Sequence, residues 1–233
     1  MYHEFSVIET FKVSWKLLKR NFAVIAVFSL VAFVTVFVLG FTTYNIFTDD
    51  VLASIAIIVL LIAVSFVFLG FIKLIFRLID KDLYEFDLRD ILPTPKMLAS
   101  YLLLLIIVSA LSVFLSHLIQ NVDNELTQSI LGILIGIFFQ FFFIFYFPIC
   151  TCFIVDDASG PFESVGQSFQ LIKGNFFRYF ILFVLIEIML FIASLTLIGI
   201  IFVVPFVNII LVVAYRKLVY SHLDVDDDVS ETI

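Results

Sequence analysis

Basic residues are missing from two long stretches of this chain. The loops at residues 43–50 and 118–127 hold Asp49, Asp50, Asp123 and Glu125 and no lysine or arginine. Charge is scarce throughout, at 14% of residues, against about 25% in a soluble domain. That scarcity excludes a water-soluble fold. Cysteine is scarce too. Cys150 and Cys152 are the only two; two residues apart with no nearby histidine, they make a poor metal site and read as buried, reduced thiols. No phosphate-binding Gly-Lys loop, zinc-type His pair or nucleophile elbow occurs, so soluble-enzyme chemistry has no residues to carry it. Asp224, Asp226 and Asp228 begin like a calcium loop but lack its glycine and closing glutamate. The expectation is therefore a protein that is not an enzyme and uses neither metal nor cofactor.

What the chain has instead is apolar length: 63% of its residues are hydrophobic. Apolar runs cover residues 22–42, 51–70, 98–117, 128–155, 177–196 and 199–215. Roughly 20 helical residues at ~1.5 Å rise cross a ~30 Å hydrocarbon core, so each run predicts a transmembrane helix. The runs are unbroken rather than alternating, which argues against a β-barrel. The first follows Lys12, Lys16, Lys19 and Arg20 as a signal peptide would, but it is too long and lacks a small-residue cleavage site, so it reads as a retained span. Threading six spans through a bilayer puts all thirteen Lys and Arg residues on one side. Membrane proteins keep these residues in cytoplasmic loops, so both termini are expected in the cytoplasm. Residues 1–222 read as one integral membrane domain and residues 223–233 as an acidic, disordered cytoplasmic tail. His3, His117 and His222 fall on both sides and cannot form one site.

The chain also repeats. Residues 9–22 align without a gap on residues 163–176, an offset of 154, and both copies lead into a span. Ile8, Phe11, Trp15, Leu18 and Phe22 in one copy, and Phe162, Val165, Phe169, Ile172 and Phe176 in the other, recur at steps of three and four and make one apolar helical face. Lys12, Lys16 and Lys19 occupy another face, as in a helix lying at the membrane interface. Ser6 and Glu9 have capping-box spacing, and Gly160-Pro161 places a proline where a helix start tolerates it. Halfway between Lys19 and Lys173 lies Lys96, after the Pro93-Thr94-Pro95 break. This suggests three units, each an interfacial helix followed by a transmembrane hairpin. The fold expected is thus all-α and polytopic, with six transmembrane helices plus cytoplasmic amphipathic helices. Lys73, Arg77 and Lys81 continue the second span at four-residue intervals, so that helix should protrude, whereas the fifth and sixth spans leave almost nothing for their turn.

One acid lies inside the membrane. Glu187 is nine residues past Arg178, about 13 Å along a helix, and an intramembrane ionisable group is a functional candidate. Asn208 and Gln140 fall at similar depth and could satisfy its carboxyl. The site would be proton-coupled or cation-binding; the favoured alternative is a neutral glutamic acid hydrogen-bonded between helices. Pro148 and Pro205 interrupt the fourth and sixth spans, where a kink alone accounts for them. The phenylalanine-rich run at 138–147 is attributed to composition and lipid exposure, and Gly132 and Gly136 to helix packing within or between subunits. Lys12, Lys16, Lys19 and Lys173 are the candidate contacts for anionic lipid headgroups, which are nearer partners than nucleic acid. A protein partner or a second copy is the other candidate.

Phe147-Pro148, the segment Val155-Asp156-Asp157-Ala158-Ser159-Gly160-Pro161-Phe162-Glu163-Ser164, residues 168–177 and Tyr215-Arg216-Lys217-Leu218 together resemble a broad bacterial group of multi-pass proteins. It includes YciC-like inner-membrane proteins and the membrane domain attached to some glycerophosphodiester phosphodiesterases. The resemblance implies a six-helix protein of the bacterial inner membrane and supplies no catalytic residue. Two functions are expected: a membrane-organising or lipid- and partner-binding protein, or a small transporter built around Glu187. An intramembrane lipid enzyme would need converging polar groups, and Glu187 has only amides.

Overall fold

The computed structural model describes residues 5–46, 50–80, 88–122 and 124–230, and these are all-helical with short connections. The helices are α1 (Val7–Arg20), α2 (Phe22–Ile46), α3 (Asp50–Asp80), α4 (Pro95–Gln120), α5 (Glu125–Phe141), α6 (Phe147–Asp156), α7 (Pro161–Lys173), α8 (Phe176–Ser194) and α9 (Leu197–Ser230). A π-helical turn, Phe142–Tyr146, fuses α5 and α6 into one span. Among the described residues six helical segments are long and apolar enough to cross a membrane: Phe22–Asn45, Val51–Asp80, Pro95–Gln120, Glu125–Asp156, Phe176–Ser194 and Gly199–Tyr220. The chain is a multi-pass membrane protein.

The second helices of the three hairpins, α3, α6 and α9, touch one another and form the centre. The core sits where these helices reach the end that carries the lysines and arginines. Leu74, Ile75, Leu78, Ile149, Ile154, Ile209, Ile210, Ala214 and Leu218 are all fully buried there. By contrast, only 6% of the first span is buried, against 50% of the sixth. Outward-facing apolar side chains of this kind are stable only in lipid.

Each hairpin is preceded by a segment that docks on the second helix of the hairpin before it, in cyclic order. Helix α7 packs on α6, and α1 packs on α9. Before α4, Lys73 Nζ of α3 donates to the Leu92 carbonyl at 2.9 Å, and the Ile91 carbonyl lies 3.6 Å from where a Cβ on Gly70 would stand. The middle unit thus keeps its place, among the described residues without an amphipathic helix. Among the described residues it shows only a 3₁₀ turn, Leu88–Asp90, because Pro93 and Pro95 cannot donate and restrict the residues before them. Lys96 consequently lies in the first turn of α4 rather than at the end of an interfacial helix; Lys81 lies outside the described residues.

The two clear copies have the same backbone joint. Asn21 (φ −114, ψ 24) breaks α1 from α2, and its carbonyl accepts from the Ile25 amide at 3.1 Å. Asn175 (φ −129, ψ 27) does the same between α7 and α8, accepting from Tyr179 at 3.0 Å. The two helix starts differ. Glu163 accepts from the Gly160 amide at 3.2 Å, completing a cap ahead of Pro161, whereas Glu9 turns away to pair with Lys217 at 3.0 Å.

Three readings are refined. The run at 138–147 is not simply lipid-facing. Phe145 is fully buried and stacks on Phe141, with ring centroids 4.7 Å apart, and Tyr179 and Phe183 pack edge-on against it. A Cβ on Gly132 or Gly136, conversely, would meet open space, so among the described residues these glycines do not serve close packing within the bundle; the alternative, packing between subunits, is not touched by this. In addition, α9 extends to Ser230, into the segment expected to be an acidic, disordered tail. Residues 231–233 lie outside the described residues.

The tight last hairpin is as expected. Helix α8 ends at Ser194 and α9 begins at Leu197, with Thr196 Oγ1 accepting from the Gly199 amide at 3.1 Å. A Cβ on Gly199 would stand 2.6 Å from that oxygen and 2.8 Å from the Ala193 carbonyl. Because the second obstacle is backbone, Gly199→Ala should cost about 1–3 kcal/mol by overpacking. A thermal melt of the detergent-solubilised variant checks this; a melting point equal to that of the parent would show that the turn relaxes freely.

Candidate functional site at the basic end of the bundle

Three central helices converge on one guanidinium. Arg216 of α9 reaches Asp80 at the end of α3 with Nη2–Oδ2 3.1 Å, and Asp156 at the end of α6 with Nη1–Oδ2 3.3 Å. Its planar fork suits two carboxylates, which a lysine ammonium would not bridge in the same way. The guanidinium lies over the Phe76 ring at 4.9 Å, and Tyr215 donates to Asp156 Oδ2 at 3.1 Å. The Tyr215 ring meets Phe76 and Phe153 edge-on. Arg20 donates to the Leu78 carbonyl at 3.3 Å, tying the end of α1 to α3. Sequence reasoning missed this cluster. The available signal was that Asp80 and Asp156 are 76 residues apart, close to half the repeat offset.

The amphipathic helices α1 and α7 dock by a face that the periodicity did not single out. Thr10 and Ser14 are fully buried in one, and the aligned Ser164 and Ser168 in the other. Each later hydroxyl donates to the carbonyl four residues back: Ser14 to Thr10 at 2.8 Å, Ser168 to Ser164 at 2.7 Å. The hydroxyl is thereby satisfied within its own helix, and its small side chain permits close approach to α9 or α6. Part of the apolar face points away from the protein: Ile8 is 69% exposed, Trp15 50% and Phe162 74%. The rest of these helices' apolar surface joins the core, with Leu17, Leu171 and Ile172 buried and Phe11, Leu18 and Val165 packed against them. Lys12, Lys16, Lys19 and Lys173 are exposed. Each helix thus presents the bundle with hydroxyls and a few apolar side chains, and the surroundings with the remaining apolar residues and lysines.

The candidate polar residues within the membrane do not converge. Glu187 lines a cavity of about 220 Å³ with Tyr179, Phe183, Pro148 and Leu211, beside the π-helical turn. Its Oε1 is buried without a hydrogen-bond partner among the described residues. The neighbouring Tyr179 hydroxyl is committed to the Phe145 carbonyl, at 3.0 Å, which the widened turn beside Pro148 presents to it. Asn208 lines a different cavity, of about 300 Å³, between α2, α3 and α9, and donates to the Val204 carbonyl at 2.9 Å. Gln140 is exposed on α5. The amide partners expected for Glu187 are therefore not beside it. Cys150 and Cys152 are buried and free, and among the described residues no three His, Cys, Asp or Glu side chains group as metal ligands.

Comparison with protein-family models, curated proteins and solved structures finds no match to this chain. The functional reading accordingly rests on the geometry of this basic end and of the Glu187 cavity.

The Arg216 cluster makes a graded prediction. Arg216→Met leaves two partly buried carboxylates without a cation and should cost about 1–3 kcal/mol, with Arg216→Lys intermediate. Melting points in a single detergent check the order. A Lys variant as stable as the parent would remove the bidentate bridging from the account.

Proposed function

We propose that this chain is a non-enzymatic membrane-organising protein of the bacterial inner membrane. In this reading the basic end and both termini face the cytoplasm, and α1 and α7 lie in the inner interface as contacts for anionic lipid. The observation that carries it is the division of faces on these helices. Their docking surface is taken by hydroxyls together with Leu17, Leu171 and Ile172, and Ile8, Trp15, Phe162 and the lysines remain exposed for something outside the bundle. An apolar stripe beside a basic one matches the boundary between acyl chains and anionic headgroups. Confinement of the basic residues to one end supports the orientation, through the preference of Lys and Arg for the cytoplasmic side. The resemblance of the second half to YciC-like proteins supports the choice of membrane. Replacing Lys12, Lys16 and Lys19 together by Gln should lower the anionic share of the lipids that co-purify with the protein. An unchanged anionic to zwitterionic ratio counts against the reading.

A second reading, a small transporter, draws on one observation: Glu187 Oε1 lies buried and unpartnered at a cavity. Such a carboxyl in a span is the residue type that proton- or cation-coupled proteins use. Glu187→Gln keeps the shape and removes the ionisable group. If Glu187 serves transport, this variant in proteoliposomes loses a pH-dependent cation or proton flux that the parent shows, with its melting point preserved. Absence of flux in the parent disposes of the transporter reading.

A further inference from the structure

The two sequence copies share more than their docking hydroxyls. Trp15 and Lys19 of α1 and Phe22, the first residue of α2, line a groove of about 860 Å³ that continues between α2 and α9 past Ile25, Ala26 and Pro205. The aligned Phe169 and Lys173 of α7 and Phe176, the first residue of α8, line a second groove of about 330 Å³, bounded on its other side by Tyr146. In both copies an aromatic residue and a lysine four positions on share one helical face, and a phenylalanine three beyond follows across the joint into a span. An independent feature of the first groove points the same way: Lys19 Nζ lies 5.1 Å from the centroid of the Trp15 ring, so the ammonium is held at the mouth. Ser29 Oγ, buried without a hydrogen-bond partner among the described residues, lines the same groove further in.

We propose that these grooves are two copies of one site for an anionic glycerophospholipid, with the headgroup phosphate at Lys19 or Lys173 and an acyl chain along the groove. This deepens the lipid-contact reading and rests on it. Charge complementarity selects the occupant. The chain carries a net charge of −7, yet Lys12, Lys16, Lys19 and Arg20 gather on α1. Among the described residues neither Lys19 nor Lys173 forms an ion pair with a carboxylate. A cation above a long apolar groove matches a phosphate above a hydrocarbon chain. It does not match a neutral lipid or an apolar helix of a second copy.

Trp15 is the only tryptophan in the chain, so its fluorescence reports on the first groove directly. The full-length protein is reconstituted in phosphatidylcholine bilayers containing a minor fraction of either brominated phosphatidylglycerol or brominated phosphatidylcholine. Phosphatidylglycerol should quench Trp15 at lower mole fraction, and Lys19→Gln should raise the mole fraction for half-quenching about fivefold, with Lys173→Gln leaving it unchanged. Moving the probe, by Trp15→Phe with Phe169→Trp, should exchange the two lysines' effects. If the moved probe disturbs folding, native mass spectrometry of bound phosphatidylglycerol on the Lys19→Gln and Lys173→Gln proteins, each expected to lose one bound lipid, replaces it. Equal quenching by the two lipids in the parent overturns the proposal. So does an equal loss from Lys12→Gln with Lys16→Gln, which would mean diffuse surface charge without a site and would leave the broader lipid-contact reading standing. That broader reading fails separately, on the composition of co-purified lipid.

Discussion

A guanidinium at the point where three helices leave the apolar layer needs counter-charge, and Arg216 finds it on the two helices beside its own. Asp80 and Asp156 are each the last residue of a long helix, so the cluster ties helix ends rather than helix middles. An ion pair at the bilayer centre would carry a large desolvation penalty. At the interface the side chains remain partly hydrated, and most of the penalty is avoided while the geometry is kept. The surrounding Phe76, Phe153 and Tyr215 rings limit water on one side only. The buried core lies next to this cluster and thins toward the opposite end, where helix surfaces face lipid.

Within that frame, α1 and α7 depart in part from the usual logic of an amphipathic helix. In a soluble domain the apolar stripe faces the core. Here Leu17, Leu171 and Ile172 share the interior contact with small hydroxyl residues whose polar atoms are satisfied within their own helix, as suits helices packing where lipid competes equally well for apolar surface. Ile8, Trp15 and Phe162 are left to the surroundings. The same reasoning separates Glu187 from the amphipathic surface. It belongs to a small cavity between α8, α9 and the π-helical turn, away from the lysines.

The spans were legible because unbroken apolar length is a strong signal; most of their ends move by only a few residues between sequence and structure, and the second runs ten residues past residue 70 to Asp80, along the face that carries Lys73 and Arg77. The repeat was legible as well, down to Asn21 and Asn175. The docking faces were not. Periodicity finds where apolar residues align, and Thr10, Ser14, Ser164 and Ser168 align on a face that hydropathy scores as indifferent. The candidate site around Glu187 joined residues of similar depth. Depth along a helix does not fix the angle about its axis, and Asn208 and Gln140 lie at other angles, one beside α2 and α3 and one outward. Arg216 was invisible for a related reason, since its partners lie 60 and 136 residues away in the chain.

The cyclic docking order has a consequence for biogenesis. Helix α7 meets α6, which is already synthesised when α7 appears, but α1 packs on α9, which emerges long after it. Until then α1 can be tied to α3 through Arg20 but lacks its main docking surface. Its hydroxyl face is unoccupied until α9 arrives, and the pairing of Lys217 with Glu9 cannot form before that. Closing the ring of docked helices therefore waits on α9.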